Sequence, residues 1–279
     1  MLASAKELLS KAKKGKYGII APDFLDLHSA RVFVNTANEL NTPILLSFAQ
    51  AHKHILALEE AALIGKFMAE SVDVPIALHL DHGEDFDYIK RAIRLGFNSV
   101  MIDASMHGLA ENIRITKEIA DYAHLKGVSI EAEIGHVGGS TESPEGVGPT
   151  DSVYTTVEEA RTFVEQTQVD SLAVSIGTAH GVYKNNKNPQ LNFERLKELA
   201  TAIDIPLVLH GGSGTGDTNL KRCVTEGISK VNIFTEFTVA ALKEIQETHP
   251  SSFVKLQQAA DQGMKKVLTH YIELLSMQA

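Results

Sequence analysis

Three histidines, each followed by a glycine, close three different apolar segments of the chain. His82 ends the segment LHLDHG, His180 lies in GTAHG, and His210 ends VLHGG. Three imidazoles that converge and leave one position open are the layout of a catalytic Zn²⁺ site, whereas a single such histidine is more often a polar core residue. The glycines are expected to let the backbone approach the metal or the substrate closely. Five further histidines are expected at the surface: His52, His54, His124, His249 and His270.

Four carboxylates stand at the ends of the same kind of segment. Asp81, beside His82, is expected either to orient an imidazole or to act as a general acid or base. Asp103, Glu131 and Glu133 add negative charge, and the last two share one face of a strand because side chains alternate. Such buried carboxylates are costly without a cation, which favours a metal beside them. The alternative for Glu131 is a pair with a buried lysine or arginine.

Two glycine- and hydroxyl-containing turns indicate an anion site. Residues 211–214, with the sequence GGSG, follow one apolar segment, and Asn232 and Thr235 follow the next. Backbone N–H groups and helix N-termini at such turns bind phosphate. Lys184 would add a cation there, unless it is a solvated loop lysine.

Short apolar segments alternate with segments of helical periodicity, so the groups above are expected at the ends of parallel strands. This pattern predicts an α/β fold, a single-domain (β/α)8 TIM barrel over residues 1–279, with an amino-terminal capping helix at 2–14 and a carboxyl-terminal helix at 253–277. An open, doubly wound sheet is less favoured because no Gly-x-Gly-x-x-Gly follows the first segment. The predicted strands are 17–21, 43–48, 75–80, 97–102, 128–134, 171–176, 205–210 and 230–233.

One connection is much longer than the others. Residues 135–155 contain five glycines and two prolines after a predicted strand. A barrel loop of this length is typical of a lid or another functional loop, the alternative being a surface insertion.

The composition limits the classes of partner and location. The 279 residues include 26 Lys and Arg against 35 Asp and Glu, a net charge of −9 that argues against nucleic acid and against acidic membrane surfaces. A lone cysteine, Cys223, excludes a disulfide framework and favours a reducing cytoplasm. There is no run of 18 apolar residues that would predict a membrane span.

A metal that faces a phosphate site favours a small phosphorylated substrate with a carbonyl or hydroxyl group. A Lewis acid and a base together suit enolate chemistry such as aldol cleavage, and metal-assisted hydrolysis suits the same ligands. A Schiff-base mechanism would need a lysine inside the barrel, and the predicted strands offer only Lys230.

Six segments taken together resemble the class II, metal-dependent ketose-bisphosphate aldolases. They are 77–83, 100–105, 131–135, 177–184, 208–214 and 230–233, and the resemblance runs over nearly the whole chain from residue 17. It implies a Zn²⁺-type ion on His82, His180 and His210, which holds dihydroxyacetone phosphate. It also implies a monovalent cation near the phosphate, and a homodimer or homotetramer.

The resemblance also implies roles for individual residues. Asp81 would handle the proton of the C4 hydroxyl, Glu133 would approach the metal when substrate is absent, and Asp103 would lie beside the ligands or at a second metal. Substrate-binding positions would be Gly181, Lys184, Gly211, Gly212, Ser213, Asn232, Thr235 and Ser47.

Four departures from the family pattern lie at the aldehyde end and the lid. Asp23 stands near a usual Asn, and Phe234 replaces an Asp or Asn. In the lid motif at 138–142, usually Gly-Gly-x-Glu-Asp, the only acid is Glu142, one residue late, and residues 251–252 replace the end of an Asp-Pro-Arg. Glu142 is nevertheless the candidate for the enolate proton. The departures predict that fructose 1,6-bisphosphate is a poor substrate and that a tagatose-type or differently substituted ketose phosphate is better. A metal- and phosphate-binding barrel without efficient catalysis is the alternative.

Overall fold

The computed structural model describes residues 2–135, 154–178 and 190–276 of the chain. Eight parallel strands form one sheet in the order β1-β8-β7-β6-β5-β4-β3-β2. A bridge between Asp23 and Ser47 joins the first strand to the second, so the sheet curls into a nearly closed barrel. The strands are β1 (Ile19–Pro22), β2 (Ile44–Ala49), β3 (Ile76–Gly83), β4 (Ser99–Ile102), β5 (Ser129–Ile134), β6 (Ser171–Val174), β7 (Leu207–Leu209) and β8 (Ile228–Ile233). The predicted (β/α)8 barrel is confirmed, with every predicted strand present.

Helices cover the outside of the sheet. They are α1 (Ala5–Gly15), α2 (Leu27–Glu39), α3 (Leu58–Glu70), α4 (Phe86–Leu95), α5 (Leu109–Leu125), α6 (Val157–Thr167), α7 (Phe193–Ala202), α8 (Asp217–Glu226), α9 (Thr235–Thr248) and α10 (Phe253–Leu275). A 3₁₀ turn, Gln50–His52, follows β2. The predicted amino-terminal and carboxyl-terminal helices are present as α1 and α10. In α9 the one fully buried residue is Phe237, so no apolar stripe marks this helix in the sequence.

The first helix closes the amino end of the barrel, as predicted. Leu8 and Leu9 of α1 form a small core with inward-facing residues of the strands, among them Ile19 and Ala77. Lys13 supports this position, because its Nζ donates to the carbonyl oxygens of residues 203 and 205 at 2.5 and 3.1 Å. The polar residues of the interior therefore lie toward the opposite, carboxyl end, where barrel active sites are built.

The last two helices lie against the same side of the barrel. Gly263 of α10 approaches α9 so closely that a Cβ would lie 2.4 Å from the Ala240 carbonyl oxygen. This contact fixes α10 behind the turn between β8 and α9. Within the part of the chain that the structure describes, no helix is long and apolar enough to cross a membrane.

Candidate active site and metal centre

The end of β3 presents two consecutive residues to one site. Asp81 and His82 would face opposite sides of a regular strand. The pairing of β3 with β4 shifts register between Leu80 and Gly83, and His82 has a left-handed φ of 44°. Such backbone conformations are uncommon for residues other than glycine and are concentrated at functional sites. The irregularity turns His82 inward beside Asp81.

His82 is buried among carboxylates. Its Nδ1 donates to Asp103 Oδ2 at 2.9 Å, and its Nε2 lies 3.8 Å from Asp81 Oδ2. Burial by itself lowers the pKa of His82, but Asp81, Asp103 and Glu133 together hold it well above the ordinary value. The pKa of Asp103 is correspondingly depressed, because the hydrogen bond from His82 outweighs the effect of burial. The site thus has strong affinity for positive charge.

His210 approaches the same point from β7. Its ring centroid lies 4.5 Å from that of His82, and its Nε2 donates to Glu131 Oε1 at 3.0 Å. Burial and the neighbouring His82 lower the pKa of His210, which favours the neutral imidazole. A neutral imidazole is the form that binds a metal.

The donor set fits a divalent metal ion. Ligand atoms of Asp81, His82 and His210 all lie within 4.8 Å of one another, and those of His82, Asp103 and Glu133 form a second such group. In each histidine one ring nitrogen is held by a carboxylate, which leaves the opposite nitrogen to face the cluster. That pairing is the usual arrangement around a metal-binding imidazole.

A third cluster of possible metal ligands contains the ammonium group of a lysine. His79, Asp81 and Glu131 are close enough to hold a metal, but Lys230 Nζ lies 2.9 Å from both Glu131 oxygens and 3.0 Å from His79 Nε2. This ammonium takes the place that a metal would occupy. Burial raises the pKa of Glu131, but Lys230 and His210 outweigh that effect and lower it to about 2. The alternative considered for Glu131, a pair with a buried lysine, is what the structure contains.

Asp81 is held by three neighbours in the barrel interior. Asn232 Nδ2 donates to its Oδ2 at 2.9 Å, while His79 Nε2 and Lys230 Nζ lie 3.4 and 3.7 Å from its Oδ1. Burial raises the pKa of Asp81, but His82 and Lys230 lower it well below the ordinary value, so the carboxylate is ionised. The sequence analysis did not identify His79 as part of the site and considered Lys230 only as a Schiff-base lysine. Their positions two residues before Asp81 and Asn232, on the same strand face, are the signal that could have identified them.

The turns after β7 and β8 lie side by side. The Gly212 amide donates to the Asn232 carbonyl at 3.2 Å, and the Phe234 amide donates to Ser213 Oγ at 3.3 Å. Helix α9 begins at Thr235, and within the described chain no side chain caps its N-terminus. The first N–H groups of that helix could therefore donate to a bound anion.

Two glycines beside the described histidines pack tightly against neighbouring strands. A Cβ on Gly83 would lie 2.6 Å from the Met101 carbonyl oxygen, and one on Gly212 would lie 2.6 Å from the Asn232 carbonyl oxygen. These contacts are with neighbouring strands and not with the metal position. Gly211, with φ of 66°, is required by its left-handed backbone.

The far side of the site contains a histidine that was expected at the surface. His52 is 1% exposed, and its ring stacks on Phe234 at a centroid distance of 4.6 Å. Burial lowers its pKa to about 4, so this imidazole is neutral at physiological pH. Ser47 is also buried, and its Oγ donates to the Leu45 carbonyl at 3.2 Å. The surface prediction for His52 was therefore wrong, because the turn after β2 folds over the barrel mouth.

Four of the residues named from the sequence lie outside the described residues: His180, Gly181, Lys184 and Glu142. Most of the long connection at 135–155 lies outside them as well. The described part of the site is therefore formed by the ends of β3, β4, β5, β7 and β8.

Comparison with known proteins identifies the family. The family model described as fructose-bisphosphate aldolase class-II matches residues 3–279. The chain belongs to this family. It is an aldolase, a carbon–carbon lyase, and class II aldolases are metal-dependent, in agreement with the clustered histidines and carboxylates.

Individual relatives of this class II aldolase match along nearly their full length. The D-tagatose-1,6-bisphosphate aldolase subunit GatY of Klebsiella oxytoca is 36% identical over 277 residues, which cover 96% of each protein. The YdjI aldolase of Escherichia coli K12 has 34% identity and a TM-score of 0.89, with 99% of this chain and 98% of that one covered. The fructose-bisphosphate aldolase of Campylobacter jejuni has a TM-score of 0.83 at 23% identity, a likeness of fold, with 98% and 95% covered.

Proposed function

We propose that this aldolase performs the zinc-dependent, reversible cleavage of a ketose 1,6-bisphosphate or ketose 1-phosphate. The products are dihydroxyacetone phosphate and an aldehyde such as glyceraldehyde 3-phosphate. The observation that carries the proposal is the cluster of Asp81, His82 and His210. It lies next to the glycine turn at 211–214 and to the uncapped N-terminus of α9. A candidate cation site is thus proposed beside a candidate anion site.

Zinc would be held by His82, His210 and His180, with Glu133 and Asp103 beside them, and when bound it supplies a Lewis acid that polarises the substrate carbonyl. Asp81 is the base that accepts the proton of the C4 hydroxyl when the C3–C4 bond breaks. Its ionised state suits this task, and Asn232 fixes the carboxylate through the hydrogen bond to Oδ2. Glu142 is proposed to exchange the proton of the enolate carbon.

The dihydroxyacetone phosphate end is proposed to bind at the turns after β6, β7 and β8. The residues assigned to it are Gly181, Lys184, Gly211, Gly212, Ser213, Asn232 and Thr235, with Ser47 from β2. A monovalent cation near the phosphate and assembly into a homodimer or homotetramer, in the cytoplasm, belong to the same proposal.

The aldehyde end is proposed to disfavour a second phosphate. His52 and Phe234 form a neutral, stacked pair on that side, and Asp23 is buried beside Ser47, so these groups offer no cation to a phosphate. The relative from Klebsiella oxytoca, a tagatose-1,6-bisphosphate aldolase subunit, supports a ketose of another configuration, although its named substrate also carries a 6-phosphate. We propose that a tagatose-type or differently substituted ketose phosphate is cleaved faster.

A cleavage screen tests both parts of the proposal. Zinc-loaded protein is assayed with ketose 1-phosphates and 1,6-bisphosphates that differ from C3 to C6, and dihydroxyacetone phosphate is detected with a coupled dehydrogenase. EDTA should abolish cleavage and added Zn²⁺ should restore it. Activity that resists the chelator, together with a covalent adduct formed on treatment with borohydride and substrate, would instead indicate a Schiff base. A kcat/KM for fructose 1,6-bisphosphate of about 10⁴ M⁻¹s⁻¹ or more, an ordinary enzyme value, would show that the departures do not affect specificity.

A further inference from the structure

Helix α10 reaches the glycine turn through one carboxylate. Glu236, in the first turn of α9, accepts a hydrogen bond at its Oε1 from the Gly214 amide at 2.7 Å. Its Oε2 accepts a second hydrogen bond from the Tyr271 hydroxyl of α10. Tyr271 is 3% exposed and belongs to the hydrophobic core between α10 and the barrel. A rigid element far from the reacting atoms is thus connected to the turn at 211–214.

The position of this carboxylate is unusual. A negative charge beside a phosphate site opposes phosphate binding, so Glu236 would weaken the site if charge alone mattered. Both carboxylate oxygens of Glu236 instead accept hydrogen bonds, one from the Gly214 amide in the turn and one from the Tyr271 hydroxyl. Burial and the contact with Glu236 raise the pKa of Tyr271, so the hydroxyl keeps the proton that it donates.

The hydrogen bond from the Gly214 amide to Glu236 holds the end of the turn at 211–214. Thr215 Oγ1 donates to the Gly211 carbonyl at 3.0 Å, and Ser213 Oγ accepts from the Phe234 amide, so the start of the turn is held by β8 and by the turn itself. Gly214 has a φ of 73°, a conformation that a free glycine exchanges readily for others. Among the described residues, Glu236 is what holds the Gly214 amide.

We propose that Glu236 and Tyr271 are positioning residues for the phosphate of the substrate. They hold the turn at 211–214 so that its remaining donors and the start of α9 face one point, and they keep the Glu236 carboxylate directed away from that point. This inference rests on the proposed phosphate site, and neither residue touches the reacting atoms.

If Glu236 acts mainly through its charge, removing it should strengthen phosphate binding. If it acts by holding the turn at 211–214, removing it should weaken phosphate binding. Glu236→Gln removes the charge but keeps an oxygen for the Gly214 amide and an NH₂ group that can donate to the Tyr271 hydroxyl. Glu236→Ala removes both the charge and the hydrogen bonds. Tyr271→Phe keeps the charge and releases one oxygen of the carboxylate. Tyr122→Phe, a loss of hydroxyl on α5, is the matched control.

The experiment measures inorganic phosphate binding to the zinc-loaded enzyme by calorimetry, together with KM, kcat and zinc content. Loss of one hydrogen bond in Tyr271→Phe, and of both in Glu236→Ala, should weaken phosphate binding and raise KM about five- to tenfold or more. Glu236→Gln and Tyr122→Phe should stay within about twofold of the parent. Zinc content and kcat should change little, because the metal ligands lie elsewhere. Should Glu236→Ala fail to fold, the comparison of Tyr271→Phe with Glu236→Gln carries the same test.

Tighter phosphate binding in both Glu236 variants would show that only charge matters and would overturn the inference. Unchanged binding in Tyr271→Phe and Glu236→Ala would overturn it as well. With either of these outcomes, the proposed function still stands if the parent enzyme binds phosphate and cleaves a ketose phosphate. A parent that binds no phosphate and cleaves no ketose phosphate overturns both.

Discussion

Replacement of Lys230 by methionine should destabilise the barrel by a few kcal/mol. Lys230 is fully buried, and its Nζ lies 2.9 Å from both oxygens of Glu131. Lys230→Met keeps a stem of similar volume and deletes the charge, so the buried Glu131 carboxylate loses its counter-ion and keeps the hydrogen bond from His210. Breaking a buried ion pair in this way costs about 3–5 kcal/mol.

The pKa of Glu131 gives an independent magnitude. Lys230 and His210 overcome the effect of burial and depress this pKa from 4.5 to about 2. At 1.36 kcal/mol per pKa unit, the ionised carboxylate contributes about 3 kcal/mol to the folding of the native protein. Because the folded pKa is the lower one, this stability is present above pH 4.5 and is lost as the pH falls toward 2. This net value combines the contributions of burial, Lys230 and His210, and it is of the same order as the cost expected for Lys230→Met.

Urea unfolding of the zinc-free protein in EDTA measures this cost without a contribution from metal binding. Lys265→Met is the matched control, because Lys265 pairs with Glu39 at the surface at 2.6 Å and should contribute less than about 1 kcal/mol. The double variant Lys230→Met with Glu131→Gln should recover most of the loss, since a neutral pair needs no counter-ion. A cost below about 1 kcal/mol for Lys230→Met, or a double variant no more stable than the single one, would refute the reasoning.

Three further predictions concern the metal, the base and the lone cysteine. Single alanine variants of His82, His180 and His210 should lose bound zinc in elemental analysis, and full occupancy in all three would contradict the ligand assignment. Asp81→Ala should keep its fold and its metal but lose cleavage by about 10²–10⁴-fold in a steady-state assay, because a proton-transfer group is removed; a rate within about tenfold of the parent would exclude that role. Cys223 is buried, and burial raises the pKa of its thiol to about 12, so Ellman's reagent should react only after denaturation, and rapid reaction with the native protein would contradict this burial.

Most of the fold followed from local patterns in the sequence. Strands buried on both faces appear as nearly continuous apolar segments, so all eight could be located within a few residues. The start of α10 is marked by Ser252, whose side chain accepts from the Lys255 amide.

The site was only partly predictable because some of its contacts depend on the closed barrel. The proximity of Lys230 to Glu131 and His79 joins strands that are far apart in the sequence, and only closure brings them together. The burial of His52 likewise depends on Phe234, a residue at the end of β8. A sequence shows which residue types are available, but these pairings are set by tertiary packing.

The proposed division between a retained metal end and a changed aldehyde end is consistent with the positions of two residues of β8 and its turn. Asn232 is the last inward-facing residue of β8, and its side chain donates a hydrogen bond to Asp81. Phe234, two residues later, begins the turn and stacks on His52. The strand ends are fixed by sheet hydrogen bonds and by the buried Lys230 network. Substitutions in the turns after β1, β2 and β8 can therefore alter the aldehyde side while the geometry of Asp81 and the histidines is retained. On this reasoning, substrate range in such a barrel can change without any change in the residues that break the bond.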